Sequence, residues 1–314
     1  MTIQKNRFRL ITRSDFDGLA CAVLLKKLEL INEIMFVHPK DMQEGRILVG
    51  PTDITTNLPY VPGAHLVFDH HHSETIRAGG ETRENHIIDA AAPSAARVVY
   101  NYYGGKTTFP KVPDDFMNAV DKGDSADFSR QEILRPAGWN LLNFLMDART
   151  GLGRFRHFRV SNYQLMMDLI EYCHRHSIEE ILALPDVKER ADLFLSHGEK
   201  FEEQVRSCAS HHGPLTILDL REEEIIYTGN RFMVYALFPD CQISIHLMWG
   251  RLRQNTVFAT GKSIFYRDNP LNIGELMLAN GGGGHSGAGT CQVDNDKVEE
   301  TRTHLIQQIQ EGCQ

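Results

Sequence analysis

The stretch Arg9–Leu30, RLITRSDFDGLACAVLLKKLEL, decides the fold of the first half of the chain. Arg9–Thr12 predicts a strand, and Leu19–Leu30 predicts a helix because its apolar residues recur at helical spacing. The connection between them holds Asp15-Phe16-Asp17-Gly18, and Gly18 lets the loop turn into the helix without strain. A strand that leads through an acidic loop into a helix is typical of a parallel α/β sheet with a site at its carboxyl edge.

Short apolar runs alternate with helical patterns through the rest of this half. We predict further strands at Ile47–Gly50, His65–Phe68 and Asn85–Ile88, and a helix around Ser94–Tyr103. This alternation predicts a largely parallel sheet flanked by helices.

The 314 residues are enough for about two domains. Val187–Ala209 predicts a long charged helix, which His212-Gly213-Pro214 breaks, and a β-rich region follows. The strands predicted there are Leu215–Asp219, Glu224–Tyr227, Arg231–Leu237, Gln242–Met248, Asn255–Thr260 and Thr290–Val293. We therefore predict an α/β domain over residues 1–185, a helical linker over 186–213 and a smaller α/β domain over 214–314.

The composition limits the function classes. A formal net charge of −8 disfavours a broad grip on long duplex DNA, which usually needs a basic face. The sequence predicts no membrane span, and Met1–Leu10 lacks the apolar segment of a signal peptide, so we expect a cytoplasmic protein. The six cysteines are scattered without a CxxC pair, which predicts reduced thiols.

Three predicted strands are followed by acidic groups. These groups are Asp15 with Asp17, then Asp53, then Asp69-His70-His71. The carboxyl ends of parallel strands lie at one edge of a sheet, so we expect the groups to converge. Converging carboxylates repel one another unless a cation lies between them, and oxygen ligands with an imidazole suit Mn²⁺, Mg²⁺ or Fe²⁺. Taken alone, each element is more typical of a turn or a helix cap.

Together these motifs resemble the DHH phosphoesterase superfamily. The resemblance includes an acidic motif at residues 123–128 (GDSADF) and the glycine-rich stretch GGGGH at 281–285 with Ala288-Gly289, which is similar to the DHH-associated C-terminal domain. It covers essentially the whole chain in order.

The resemblance implies hydrolysis of phosphoester bonds with two divalent metals, usually Mn²⁺. It implies that His71 faces the substrate phosphate and that Asp69 orients an imidazole. Asp121 is the alternative to Asp124 if the fourth motif is shifted by one helical turn. The implied metal ligands are Asp15, Asp17, Asp53, His70 and Asp124.

One position departs from the family pattern. The first motif usually begins with a histidine ligand, but here Arg13 and Ile11 occupy the two positions where it could stand. A guanidinium offers no lone pair to a metal. Three interpretations remain open: the first metal binds weakly or not at all, Arg13 binds the phosphate in its place, or Arg13 pairs with a nearby aspartate.

The second domain carries the predicted substrate-binding residues. Successive backbone N–H groups in a glycine loop can form an anion-binding nest, which His285 would extend. Lys262 and Ser263 are expected to contact the far end of an anionic substrate, and Phe265 and Tyr266 favour a base there. The predicted loop residues are Gly282, Gly283, Gly284 and His285.

The sequence thus predicts a metal-dependent hydrolase of small nucleotides, such as short oligonucleotides or cyclic and linear dinucleotides. The cofactor is expected to be one or two Mn²⁺, with metal-activated water as the nucleophile. The alternatives are an exopolyphosphatase or pyrophosphatase, and a non-catalytic nucleotide sensor with a degenerate metal site. A homodimer is a further possibility that the sequence leaves open.

Overall fold

The computed structural model of the chain describes residues 7–77, 79 and 81–313. The chain divides into two compact units. The first contains residues up to 128, together with 136–148 and 155–191. The second contains residues 129–135, 149–154 and everything from 192 onward.

A parallel five-stranded sheet forms the centre of the first unit. Its spatial order is β2-β1-β3-β4-β5, and every neighbouring pair is parallel. The chain passes to one side of β1 for β2 and to the other side for β3, so the topological switch point lies at the end of β1. The strands are β1 (Phe8–Arg13), β2 (Ile31–Val37), β3 (Asp53–Thr56), β4 (Leu66–Asp69) and β5 (His86–Ile88).

One strand of this unit was not predicted, and one predicted strand is wrong. Ile31–Val37 forms β2, although its first residues follow directly from the helical pattern that ends at Leu30. Ile47–Gly50 forms no strand, and the next strand begins at Asp53. The four residues of β3 are all buried although two are threonines. The position at the centre of the sheet therefore decides which segment forms the strand, and the greater apolarity of Ile47–Gly50 does not.

Helices cover the sheet of the first unit. The most buried is α1, in which all residues from Phe16 to Leu25 are inaccessible, and it packs against α4, α6 and α9. The helices are α1 (Phe16–Lys27), α2 (Pro39–Gln43), α3 (His72–Arg77), α4 (Ala95–Tyr102), α5 (Gly105–Thr108), α6 (Asp114–Ser125), α8 (Gly138–Met146), α9 (Asn162–Arg175), α10 (Ile178–Ala183) and α11 (Pro185–Ser196), which crosses into the second unit.

The second unit is built on a six-stranded mixed sheet of order β10-β11-β9-β8-β7-β6, in which only β7 and β8 run parallel. Side chains of α14 and α15 pack on the apolar face of this sheet. The strands are β6 (Ala209–His212), β7 (Leu215–Asp219), β8 (Ile243–Trp249), β9 (Thr256–Lys262), β10 (Gly283–His285) and β11 (Ala288–Val293). The helices are α7 (Arg130–Leu134), α12 (Gly198–Ser207), α13 (Met233–Leu237), α14 (Ile273–Ala279) and α15 (Val298–Gly312).

The structure also revises the predicted linker and two predicted strands. Residues 192–213 belong to the second unit: α12 packs there against α13, and β6 pairs with β7. Glu224–Tyr227 forms no strand, and most of Arg231–Leu237 forms α13. The α/β class that was predicted for the chain is confirmed.

In the described part of the chain, no helix is both long and apolar enough to cross a bilayer. The first six residues, on which the prediction about a signal peptide partly rests, lie outside the described residues. The six cysteines are unpaired thiols, as predicted, and four of them are buried.

Candidate metal centre

The candidate site lies at the carboxyl edge of the first sheet, next to the switch point. Asp15 directly follows the loop after β1 and caps the N-terminus of α1, where its side chain accepts a hydrogen bond from Gly18 N. Asp17 lies in the first turn of the same helix. Asp69 is the last residue of β4, and His70 follows it. The parallel register therefore brings sequence-distant groups to one edge.

Three of the predicted ligands lie together. Asp17, His70 and Asp124 each offer one ligand atom, and these three atoms are within 4.8 Å of one another. Asp17 comes from α1, His70 from the loop after β4, and Asp124 from the last turn of α6. Two carboxylates and one imidazole form an oxygen-rich set that suits a hard or borderline divalent cation.

Asp17 is held by the N-terminus of α4. Its two oxygens accept hydrogen bonds from Ala95 N (2.9 Å) and Ala96 N (2.7 Å), which begin α4, so a helix N-terminus faces its charge. The side chain is buried, and burial together with the charges of Asp124 and Asp15 raises its pKa well above the usual range. A cation at the cluster would favour the ionised form of Asp17.

His70 is oriented for ligation through Nε2. Its Nδ1 lies 3.3 Å from the carbonyl oxygen of Ala92, which can only accept, so Nδ1 carries a proton. Nε2 is buried and lies 2.9 Å from Asp124 Oδ2, but it has no hydrogen bond of good geometry among the described residues. Burial alone would lower the pKa of His70, but the contact with Asp124 and the charges of Asp124, Asp17 and Asp69 raise it to about 9. This buried, unsatisfied nitrogen between carboxylates fits a bound divalent cation.

Asp124 completes the cluster at an electrostatically unfavourable position. It lies in the last turn of a helix, where the macrodipole disfavours a negative charge. Burial would raise its pKa, but the contact with His70 and the charges of His70, His71 and Arg13 lower it. Asp121, the alternative ligand, instead accepts hydrogen bonds from Ser94 Oγ (2.7 Å) and Arg97 Nε (2.9 Å).

Asp69 and His71 form a pair beside the cluster. Asp69 is fully buried, and its Oδ1 lies 2.7 Å from His71 Nδ1 while accepting from the backbone N–H groups of His70 and His71. His71 leaves 38% of its side chain exposed. The imidazole that Asp69 orients is therefore that of His71, and its Nε2 is the nitrogen that remains for another partner.

The structure places Asp53 away from the cluster, which corrects the prediction that it is a ligand. Asp53 begins β3 and therefore lies at the amino edge of the parallel sheet. Its carboxylate binds Arg9 through Nε (2.8 Å) and Nη2 (2.9 Å) and also accepts from Gly50 N (2.8 Å). The error follows from the misplaced strand: once the strand is 53–56 rather than 47–50, the residue at its carboxyl end is Asn57.

Asn57 is the site residue that the sequence analysis missed. It is buried, and its Nδ2 donates to Asp15 Oδ1 (3.1 Å) and Oδ2 (3.3 Å). Arg13 Nε lies 3.0 Å from Asp15 Oδ2. Asp15 is therefore surrounded by donors rather than placed in the three-ligand cluster. A polar residue that follows a buried Thr-Thr pair was the signal that could have found Asn57.

The glycine-rich stretch of the second unit forms an edge strand rather than an open loop. Gly283–His285 pairs antiparallel with β11, and Gly282 N donates to the carbonyl of Met277. A Cβ at Gly282 would lie 2.0 Å from Thr290 O, and one at Gly284 would lie 2.3 Å from Ala288 O. Close packing therefore explains two of these glycines, and the nest of successive amides that was expected here is not the observed conformation.

The other predicted residues of this unit surround the end of β9. Lys262 Nζ donates to the carbonyl of Asn269 (2.8 Å), and Lys262 N donates to Gly287 O in the turn beside His285. Ser263 is buried, and its hydroxyl accepts from Phe265 N, which leaves it poorly placed for a ligand. Phe265 and Tyr266 are exposed by 40% and 37%.

The chain was compared with known proteins. No family model matches the sequence, and no curated protein sequence matches it. Among solved structures, the chain is 59% identical to PggH, a pGpG-specific phosphodiesterase from Vibrio cholerae, over 98% of this chain and 100% of that one, with a TM-score of 0.88.

Two further structures share the fold at low identity. RecJ from Thermus thermophilus in complex with Mn²⁺ is 12% identical, with a TM-score of 0.54 over 98% of this chain and 52% of that one. CDC45 from Entamoeba histolytica is 8% identical, with a TM-score of 0.52 over 98% of this chain and 96% of that one.

Proposed function

The chain belongs to the DHH phosphoesterase superfamily and is a metal-dependent phosphoesterase, and on that premise we propose that its substrate is the linear dinucleotide pGpG. The observation that carries the proposal is the 59% identity to a pGpG-specific phosphodiesterase over the full length of both chains. The products of this reaction would be two molecules of guanosine 5′-monophosphate.

We propose that Asp17, His70 and Asp124 hold a divalent ion, with Mn²⁺ as the first candidate. The buried Nε2 of His70, without a good hydrogen bond, supports this assignment, as does the convergence of the two carboxylates on it. When bound, such an ion activates a water molecule and offsets negative charge on the phosphate. The ligands themselves are oriented by the protein: the Ala92 carbonyl contacts Nδ1 of His70, and the N-terminus of α4 donates to Asp17.

His71 is proposed to act on the scissile phosphate. The buried carboxylate of Asp69 contacts Nδ1 of His71 and fixes the orientation of its ring. Attack of water on phosphorus breaks the bond to the 3′-oxygen of the first nucleotide, and that oxygen needs a proton. His71 Nε2–H is the donor that we assign to this step.

The second unit is proposed to contribute substrate recognition. The exposed rings of Phe265 and Tyr266 offer surfaces on which guanine can stack, and Lys262 lies just before them in the sequence. We keep Lys262, His285 and the glycines Gly282, Gly283 and Gly284 as candidate substrate-binding residues. Ser263 is the weakest candidate because its hydroxyl is buried and engaged.

A turnover assay with Mn²⁺ tests the proposal. Purified protein is offered pGpG, pApA, adenosine 3′,5′-bisphosphate and short polyphosphate side by side, and products are separated by liquid chromatography. We expect metal-dependent release of guanosine monophosphate from pGpG and slower turnover of the other substrates. Release of orthophosphate from polyphosphate alone, or binding of pGpG without turnover, would overturn the proposal.

The matched control compares two aspartates that the sequence analysis grouped together. Asp124→Asn removes a cluster carboxylate, whereas Asp53→Asn removes a carboxylate at the opposite sheet edge. We expect turnover to be lost in the first variant and retained in the second. Equal loss in both, with both folded, would contradict the assignment of the cluster.

A further inference from the structure

We propose that the guanidinium of Arg13 takes the position of a second cation in this site, so that the protein binds one divalent ion and Arg13 binds a non-bridging oxygen of the scissile phosphate. Asp15 holds Arg13, Asn57 donates to Asp15, and together these groups exclude a second metal. The part of this inference that concerns the substrate phosphate rests on the proposed function. The part that concerns the number of bound metal ions does not.

The donors around Asp15 are the first observation. Oδ1 accepts from Gly18 N (2.9 Å) and Asn57 Nδ2 (3.1 Å), and Oδ2 lies 3.0 Å from Arg13 Nε. Both oxygens are therefore directed at hydrogen-bond donors of the protein itself. A metal ion could bind this carboxylate only if it displaced these contacts. The bond from Gly18 N is part of the cap of α1, and the contact with Asp15 fixes the position of Arg13.

Asn57 supplies the second observation. Its side chain is buried at the carboxyl end of β3, and Nδ2 contacts both oxygens of Asp15. Turning the amide over would place its oxygen against the carboxylate, so the hydrogen bonds fix the orientation in which nitrogen faces the site. An amide nitrogen offers no lone pair to a metal. The atom that the residue after β3 directs at Asp15 is thus a hydrogen-bond donor and not a metal ligand.

Arg13 supplies the third observation. Its side chain is 38% exposed, and its shortest contact with Asp15 is through Nε rather than through either terminal nitrogen. Those nitrogens form a planar fork that matches two oxygens of a phosphate. The charge of Arg13 also acts on Asp124, which places it within electrostatic range of the cluster.

These observations assign different groups to the two sides of the phosphate. In two-metal hydrolases, the pair of ions lies on both sides of the phosphate and stabilises its charge. Here one side has a three-ligand cluster, and the other has a fixed guanidinium, which is always charged and also repels an additional cation. Arginine groups directed at transferring phosphates stabilise the charge of the transition state in the same way.

Arg9 offers a matched control within the same sheet. It also pairs with an aspartate, but Nε and Nη2 both bind Asp53, and Nη2 also donates to Leu48 O (3.0 Å). Its fork is therefore closed by the protein itself, and it lies at the edge opposite the cluster.

Metal stoichiometry tests the inference without substrate. We measure Mn²⁺ per chain by isothermal titration and by elemental analysis after gel filtration, and we record the electron paramagnetic resonance spectrum. Wild type is expected to bind one Mn²⁺ with an uncoupled six-line spectrum. The variant Arg13→His/Asn57→Asp is expected to bind two and to show exchange coupling, whereas Arg9→His stays at one.

Two tight Mn²⁺ ions in wild type would overturn the inference. So would a folded double variant that still binds only one, because Arg13 and Asn57 would then not be what excludes the second. Circular dichroism and thermal melting establish that each variant is folded. These readouts are independent of turnover, so a failed inference leaves the proposed hydrolysis intact, and absence of pGpG turnover leaves the stoichiometry interpretable.

Phosphate binding by Arg13 needs a kinetic readout. Arg13→Ala is expected to lose roughly 100-fold in kcat, the usual cost of removing one donor to a developing oxyanion. Added guanidinium or methylguanidinium at low millimolar concentration should restore part of this loss, and Arg13→Lys should restore less than the native fork. Arg9→Ala should show neither effect. Unchanged kcat and KM in Arg13→Ala would overturn the assignment.

Discussion

Raising the pH of the metal-free protein from 6.5 to 9 is expected to destabilise it through His70. Burial opposes its charge, but the contact with Asp124 and the charges of Asp124, Asp17 and Asp69 raise its pKa from 6.5 to about 9. A raised pKa of a basic group in the folded state stabilises the fold below the unfolded pKa, and this stabilisation is lost as the pH rises through the folded pKa. The relevant window is therefore pH 6.5 to 9.

The magnitude follows from the same two values. One pKa unit corresponds to about 1.4 kcal/mol, so a rise from 6.5 to about 9 contributes roughly 3 kcal/mol to the free energy of unfolding. His70 is largely buried, with 11% of its side chain exposed, so solvent screening reduces this contribution little. For a unit of this size, roughly 3 kcal/mol corresponds to a decrease in Tm of roughly 6–12 °C.

Few other resolved groups change stability in this window. The pKa of His246 is lowered by burial to about 4, so its effect falls below pH 6.5, and other histidines with lowered pKa behave alike. The buried thiols of Cys21 and Cys173 have raised pKa values because of burial, and they destabilise the fold only above about pH 8.5. Asp17, whose pKa burial also raises well above its usual range, loses stability in the same direction as it ionises, so the comparison with His70→Gln isolates the part that belongs to His70.

Thermal unfolding after chelator treatment provides the assay. Wild type should lose stability from pH 6.5 to 9, and His70→Gln should lose much less. Saturating Mn²⁺ should abolish the decline, because a bound ion takes the place of the proton on Nε2. A flat or rising Tm for metal-free wild type, or an equal decline in His70→Gln, would refute the reasoning.

Three substitutions extend the test to other parts of the molecule. Asp124→Asn should weaken Mn²⁺ binding more than 100-fold by titration calorimetry, whereas Asp121→Asn, one helical turn earlier, should change it only a few-fold; similar losses would contradict the ligand assignment. Asp69→Asn should lower kcat by roughly 10- to 100-fold while Mn²⁺ affinity stays near wild type, because this carboxylate orients the imidazole of His71, which lies outside the cluster. A loss of Mn²⁺ affinity as large as the loss of kcat would contradict this role. Gly284→Ala should destabilise the second unit by about 1–3 kcal/mol in urea unfolding, because its Cβ would lie 2.3 Å from a backbone carbonyl of the neighbouring strand. Gly283→Ala, with no atom within 4 Å of the added carbon, serves as its control, and equal effects would exclude packing as the reason for the glycine.

The sequence predicted the parts of the site that local patterns encode. Asp15 and Asp17 lie between a clear strand and a clear helix, and Asp69-His70-His71 follows an apolar run, so the carboxyl edge could be located without a structure. The resemblance added Asp124, which spacing alone could not connect to the others. The family, the α/β fold and the enzyme class that followed from these motifs are confirmed by the comparison with PggH.

The errors share one physical cause, which is that burial depends on tertiary position. Ile47–Gly50 is more apolar than Asp53–Thr56, yet the second forms the central strand because its threonines are buried between β1 and β4. This six-residue displacement of the strand exchanged Asp53 for Asn57 at the site. The ion pair of Arg9 with Asp53 also could not be predicted, since it depends on the parallel register of two strands.

The homodimer stays a prediction.

The arrangement of donors explains how the fold tolerates four carboxylates at one edge before any metal binds. Asp15 accepts from the N-terminus of α1, Asp17 accepts from the N-terminus of α4, and Asp69 accepts from the two amides that follow it. Asp124 lies instead at the C-terminal end of α6, and its negative charge is compensated mainly by His70.

The contact between His70 and Asp124 is therefore the one that metal binding must replace. The other carboxylates keep their backbone donors when an ion enters, so metal binding must release the proton of His70 and also favours ionisation of Asp17, whose pKa burial raises. This predicts that Mn²⁺ affinity rises at least about tenfold per pH unit between pH 7 and 9, with at least one proton released per ion. Calorimetric titration in buffers of different ionisation enthalpy counts that proton, and pH-independent affinity would show that the pair does not compensate the site as we describe.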